Sequence, residues 1–203
     1  MKKLALLFLM ILGMTAGACA QTPASVLDKA VSALKKAGTV SAKYSLHAGK
    51  TVNNGSIVFS GSKFRLMSNV VKCWYDGKTQ WSYSPATGEV NVTTPSAADL
   101  QLTNPYAAAQ SYKNNFNMWK AYTQIPGCYT IKMMPKKKSQ VRQILVYVAN
   151  GTYLISEVKC EMTNGTSYTI KINDYKTKAS YPASTFKFDP KLVPSGTEVV
   201  DLR

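Results

Sequence analysis

Residues 74–90 read WYDGKTQWSYSPATGEV, two turns within one short stretch and a strand held between them. Asp76-Gly77 offers the positive-φ turn chemistry that joins neighbouring antiparallel strands, and Pro85 to Gly88 offers the second turn. Between them Gln80 to Ser84 alternates Trp81 and Tyr83 with polar residues, which predicts a strand with one apolar and one polar face. A strand clasped by two tight turns commits the surrounding chain to an antiparallel sheet.

The same alternation extends in both directions. Upstream, Thr39 to Ala48, Ser56 to Ser60, Lys63 to Ser68 and Val70 to Tyr75 read as strands, separated by turns at Asn53-Gly55 and Gly61-Ser62. Glu89 to Thr93 follows the second turn of the opening stretch. Downstream, Tyr129 to Met133 precedes a meander of Val141 to Val148, Tyr153 to Glu161 and Ser167 to Tyr175, joined at Asn150-Gly151 and Asn164-Gly165. Thr185 to Phe188 reads as a last strand, for about ten in all.

Two segments break the pattern. Ser25 to Gly38 reads as a helix, with Ser25 as cap, Asp28 as its acidic partner and Val26, Leu27, Ala30, Val31 and Leu34 as one apolar stripe. Pro95 to Trp119 loses the alternation, and Tyr106, Ala109, Tyr112 and Phe116 fall near helical spacing. The class is therefore α+β, mainly β: one curved antiparallel sheet, an N-terminal helix and a central helical insertion.

The first 20 of the 203 residues read as a cleaved leader: Lys2 and Lys3, an apolar run from Leu4 to Leu12, and Ala18-Cys19-Ala20 before Gln21. A rival cleavage would leave Cys19 as a lipid-anchored first residue. Residues 21–203 suit one domain, and no later run reaches the ~18 apolar residues of a membrane-spanning helix. The expectation is a soluble, monomeric, periplasmic protein.

Twenty-five Lys and Arg against ten Asp and Glu give a formal charge of +15. Secretion and the lack of a dense basic helix argue against nucleic acid as partner. The tract Pro135-Lys136-Lys137-Lys138 reads either as a solvated hairpin tip or as a docking patch for an acidic protein or a membrane surface.

Little in the chain suggests catalysis. The acids sit mostly at turns and termini, and Glu157, Lys159 and Glu161 share one strand face that reads as solvated. His47 is the single histidine and lies in no Gly-x-Ser-x-Gly context, so a secreted hydrolase is the rival from another class. Cys73, Cys128 and Cys160 form no Cys-x-x-Cys motif and read as small buried apolar groups, with no metal or cofactor expected. The supply is instead apolar: 12 Tyr, 6 Phe, 3 Trp and 8 Met. Either the helices fill one face of the sheet as an ordinary core, or they cover it partly and leave a lidded cavity.

Several phrases carry a resemblance. Ala42-Lys43-Tyr44-Ser45, Gly55-Ser56-Ile57-Val58-Phe59 and Lys63-Phe64-Arg65 follow the helix in order. Asp76-Gly77-Lys78-Thr79-Gln80-Trp81-Ser82-Tyr83 is similar to an Asp-Gly-Lys-Thr-x-Trp-x-Tyr phrase, and Phe186-Lys187-Phe188-Asp189-Pro190 with the stretch from Pro194 to Asp201 is similar to a Phe-x-Phe-x-Pro-x-Gly-Val-x-Val ending. With these the chain resembles the periplasmic outer-membrane lipoprotein carriers, the LolA-like family. That resemblance implies an unclosed antiparallel barrel capped by the N-terminal helix and a central helical lid. It implies acylated lipoproteins or another amphiphile as ligand, an inner-membrane transporter and an outer-membrane receptor as partners, and no catalysis. An envelope lipid sensor or a glycolipid carrier would share the fold. The expected cavity wall is Ile57, Phe59, Phe64 and Leu66 with Val71, Cys73, Trp81 and Tyr83; the expected lid is Leu102, Tyr106, Tyr112, Phe116 and Trp119. The family's latching Arg has no match at the turn Ser60-Gly61-Ser62, which leaves Lys63 and Arg65 as the latch candidates.

Overall fold

The computed structural model describes residues 21–97, 99–100, 111–122 and 124–203; the expected leader and the lid positions Leu102 and Tyr106 lie outside the described residues. Helix α1 (Pro23–Lys36) starts two residues before the expected cap. Thr22 is the cap, its hydroxyl accepting from the Ser25 N–H at 3.2 Å, and Pro23 takes the first turn, where its missing N–H would have had no partner anyway. Val26, Leu27 and Ala30 form its buried stripe.

Among the described residues twelve strands follow: β1 (Val40–Ala48), β2 (Thr51–Ser60), β3 (Lys63–Ser68), β4 (Lys72–Tyr75), β5 (Gln80–Ser84), β6 (Glu89–Thr93), β7 (Phe116–Ala121), β8 (Cys128–Pro135), β9 (Val141–Ala149), β10 (Ile155–Met162), β11 (Ser167–Thr177) and β12 (Glu198–Asp201). They form one sheet in the order β12-β6-β5-β4-β3-β2-β1-β11-β10-β9-β8-β7. Its ends, β12 and β7, are not paired with each other, so the sheet is an unclosed barrel. Pairing is antiparallel except that β12 runs parallel to β6, with Glu198 opposite Glu89 and Asp201 opposite Val92.

Two expected elements change type. Phe116 to Trp119 belongs to strand β7 rather than to the end of a helix; of the expected insertion, residues 97, 99–100 and 111–115 are helical among those described. Phe116 and Met118 turn inward while Asn117 and Trp119 turn outward, and pairing with β8 satisfies the period of two at the expense of the helical one. Thr185 to Phe188 is not a strand: Ala183–Phe186 forms a 3-10 turn that buries Phe186.

The inner face of the sheet holds two clusters joined by α1. Val26, Leu27 and Ala30 pack with Ile131, Met133, Val146 and Val148 of β8 and β9. Leu34 and Ala37, at the far end of the helix, pack with Val40, Phe59, Phe64, Cys73 and Tyr75 of β1–β4. One helix thus touches both halves of the sheet, which curls around it. The outer face of β4–β6 is covered by the C-terminal segment: Phe188 meets Trp74 edge-on at 5.4 Å, and Val193 packs on the same cluster of Trp74, Tyr83 and Val90.

Gly55 marks where strand packing is tightest. It lies opposite Tyr44, and a Cβ there would press into the Tyr44 hydroxyl and come 2.7 Å from the Met67 carbonyl oxygen. We expect Gly55→Ala to lower stability by about 1–3 kcal/mol in urea unfolding. Combined with Tyr44→Ala the losses should fall short of additive, because the phenol is no longer there to collide.

Candidate functional site

Antiparallel partners share a face, so the strand register assigns every side chain to the inner or outer surface. Ile57, Leu66 and Cys73 form one inner row, and Phe59, Phe64 and Tyr75 the next. Val58, Arg65, Trp74 and Trp81 form an outer row, as do Met67, Lys72 and Tyr83. The structure therefore brings five of the expected wall residues together, with Val71 half-buried just ahead of β4, and sends Trp81 and Tyr83 to the opposite face. The alternation in Gln80–Ser84 shows which residues travel together; the Trp74–Trp81 pairing decides which side they take.

The expected wall also divides by burial. Phe59, Phe64 and Cys73 are buried beneath the end of α1, while Ile57 and Leu66 are half-buried. Across β1, β10 and β11 the same inner face becomes more accessible. Leu46, Ile170, Val158 and Val146 form one continuous row, and Tyr168, Cys160 and Ile144 the neighbouring one. Val146 is 6% exposed, but Ile170 is 37% and Tyr168 38% exposed. This strip was not among the expected wall residues. Its signal is the alternation of Tyr168, Ile170 and Ile172, which identifies an apolar face without revealing that α1 stops short of it.

Burial pushes the Cys73 thiol up to about 11 against a hydrogen bond with Ser82, and burial also raises Cys160, so both stay protonated at neutral pH. On the outer face, Glu157 departs from the solvated reading: it is 6% exposed and lies 3.4 Å from Lys159, whose ammonium sits over the Tyr147 ring. His47 Nε2 is 3.2 Å from Ser45 Oγ, but the residues paired across from His47 are Val52 and Thr169, neither an acid.

The lid positions separate in the same way. Tyr112, in helical residues 111–115, is buried against α1 and donates to Asp28 Oδ1 at 2.6 Å; Lys113 bonds the same carboxylate at 2.8 Å. Phe116 packs inward from β7, whereas Trp119 points outward and is 48% exposed, so it is no part of a cover over the inner face. Lys63 and Arg65 lie on the outer face, away from α1, with Arg65 opposite Trp74 and its Nε buried without a hydrogen-bond partner among the described residues. Asp28 is the residue that ties residues 111–115 to α1. The Lys113 bridge is half-exposed and adds at most about 1 kcal/mol, so Tyr112 is the firmer tether.

A family model described as outer membrane lipoprotein carrier protein LolA matches residues 14–182, and the chain belongs to that family. No curated protein matches the sequence significantly. Among solved structures, an uncharacterized conserved protein from Thermus thermophilus shares the fold with a TM-score of 0.60 at 10% identity, over 88% of this chain and 98% of that one. A LolA superfamily protein from Nitrosomonas europaea gives a TM-score of 0.44 at 12% identity, over 83% and 98% of the two chains. MucB in its complex with MucA from Pseudomonas aeruginosa gives 0.49 at 9%, over 83% and 62%.

The tether is open to a pH test. The hydrogen bonds from Lys113 and Tyr112 hold the Asp28 carboxyl below the usual carboxylate range. Its contribution is therefore complete above the unfolded-state value and is lost as pH falls through the lowered folded value. Asp28→Asn should speed amide exchange across residues 111–115 several-fold at neutral pH while leaving β8 and β9 protected, and acidification of the wild type should reproduce that pattern.

Proposed function

We propose that the protein is a periplasmic carrier that holds the acyl chains of lipoproteins, or a similar amphiphile, on the inner face of its open sheet. Residues 1–20 would direct export and be removed, and residues 21–203 would act as one lipid-binding domain. An inner-membrane transporter would load it and an outer-membrane receptor unload it, in keeping with its family. No step in this cycle makes or breaks a covalent bond.

The observation that carries the reading is the gradient of burial along the inner face. Packed core under α1 passes without a polar break into the row of Leu46, Val158 and Ile170. An acyl chain of ~15 methylenes gains on the order of 12 kcal/mol by leaving water at ~0.8 kcal/mol per methylene. A half-exposed apolar strip recovers much of that while remaining open enough to give the chain up. A carrier needs an apolar surface at each step rather than a deep, closed pocket.

Ile170→Glu should reduce the affinity for a fluorescent fatty-acyl probe at least tenfold, because it places a charge where the chain would lie. Val52→Glu alters an exposed residue on the outer face of neighbouring β2 and should leave binding unchanged. Mass spectrometry of protein purified from its native envelope should find a co-extracted amphiphile. If the probe does not bind and nothing is co-extracted, the carrier reading fails.

A further inference from the structure

The edge of the sheet formed by β7 and β8 carries an unusual combination of groups. From Leu100 to Ser156 the chain has seven Lys and Arg residues and no Asp or Glu. These residues supply β7, β8 and β9, the last three strands at that end of the sheet. The acids beside this segment are already engaged: Asp28 by Lys113 and Tyr112, Glu157 by Lys159 at 3.4 Å and Glu161 by Gln143 at 2.7 Å. Lys136, Lys137 and Lys138 are exposed at the β8–β9 turn.

Large apolar side chains lie on the same edge. Trp119 is 48% exposed on the outer face opposite Lys132, and Met134, one pair along that face, is 37% exposed. Tyr122, immediately after β7, is 90% exposed. The lysine tract and Tyr122 flank β7 at its two ends, so Trp119 and Met134 lie between them.

We propose that this edge is a docking surface for anionic lipid headgroups, so that the carrier settles on a bilayer by β7 and β8 while its inner face handles cargo. Two features favour a lipid surface. Trp and Tyr side chains with an apolar body and a polar tip settle at the headgroup boundary, and each lysine near an anionic surface contributes about 1 kcal/mol. The uniform sign of charge over three strands suits a laterally continuous anionic layer. It offers no alternation of sign with which to recognise one particular protein surface.

The test uses the full chain and vesicles of phosphatidylglycerol with phosphatidylcholine, compared with phosphatidylcholine alone. The protein should co-sediment with the anionic vesicles only, and release as sodium chloride is raised. Lys136→Glu, Lys137→Glu and Lys138→Glu combined should weaken vesicle binding at least tenfold, whereas the same reversal at Lys50, Lys78 and Lys191, exposed elsewhere, should weaken it no more than about twofold. Trp119→Ala should weaken binding several-fold and remove most of the blue shift in Trp emission on mixing, since Trp74 is buried and Trp81 packs against the cluster of Trp74, Tyr83 and Val90. Equal losses in the two lysine triples would overturn the proposal, because net charge alone would then explain binding. Retention on polyglutamate without vesicle binding would overturn it in favour of an acidic protein partner. Ile170→Glu should leave vesicle binding intact, so the docking surface and the carrier reading stand or fall separately.

Discussion

The structure depends on one mismatch of width. A helix with its side chains is ~10 Å across, while twelve strands spaced ~4.8 Å apart make a ribbon of roughly 55 Å before it curls. Helix α1 gathers what it can, touching β8 and β9 with Val26, Leu27 and Ala30 and β1–β4 through Leu34 and Ala37. The sheet bends toward it because burial on both flanks is worth more than burial on one. What α1 cannot reach stays half-exposed, and the accessible strip on β1, β10 and β11 is the geometric remainder. Its openness follows from strand number rather than from any special residue.

The opposite surface of β4–β6 meets the same requirement by other means. Trp74, Trp81 and Tyr83 face outward, where water would otherwise meet them, and the chain returns after Phe186 to cover them with Phe188 and Val193 before adding β12 alongside β6. Asp189 caps the short 3-10 turn Pro190–Leu192, and Lys72 donates to the Leu192 carbonyl at 2.5 Å. The C-terminal segment is thus a second cover, on the other side of the sheet from α1. A sheet with both faces partly covered can leave one patch of one face open without losing its core.

This explains how much was legible in advance. The strand alternation and turn residues specify the sheet and nearly all of its strands, since period two and Asn-Gly or Asp-Gly chemistry are local. Which side of the sheet a strand presents is not local. In Gln80–Ser84 the alternation groups Trp81 with Tyr83 correctly but leaves their side open, and the expected inward placement fails because the covering Phe188 lies far along the chain. Phe116 to Trp119 shows the other limit: four residues fit helix and strand alike, and only the free edge of β8 decides between them. The accessible strip at Tyr168, Ile170 and Ile172 is visible as a pattern, but its exposure depends on where α1 ends in space.

An unclosed sheet has two free edges, and free edges invite pairing with other chains. At one end β12 is short, four residues, and begins and ends with acids, Glu198 and Asp201. At the other end β7 carries Lys120, and its neighbour β8 leads into three consecutive lysines. Acid at one edge and base at the other would favour head-to-tail addition of copies if the strands were long and flat, so shortness and lysine density both act against it. Repulsion alone would be served by any charged side chains, and it gives no reason to leave Trp119 and Tyr122 in solvent beside the lysines. Exposed aromatic groups raise the risk that the charges reduce. Their joint presence on the least protected edge is therefore better explained by contact with a surface that takes both, apolar enough for the rings and anionic enough for the ammonium groups.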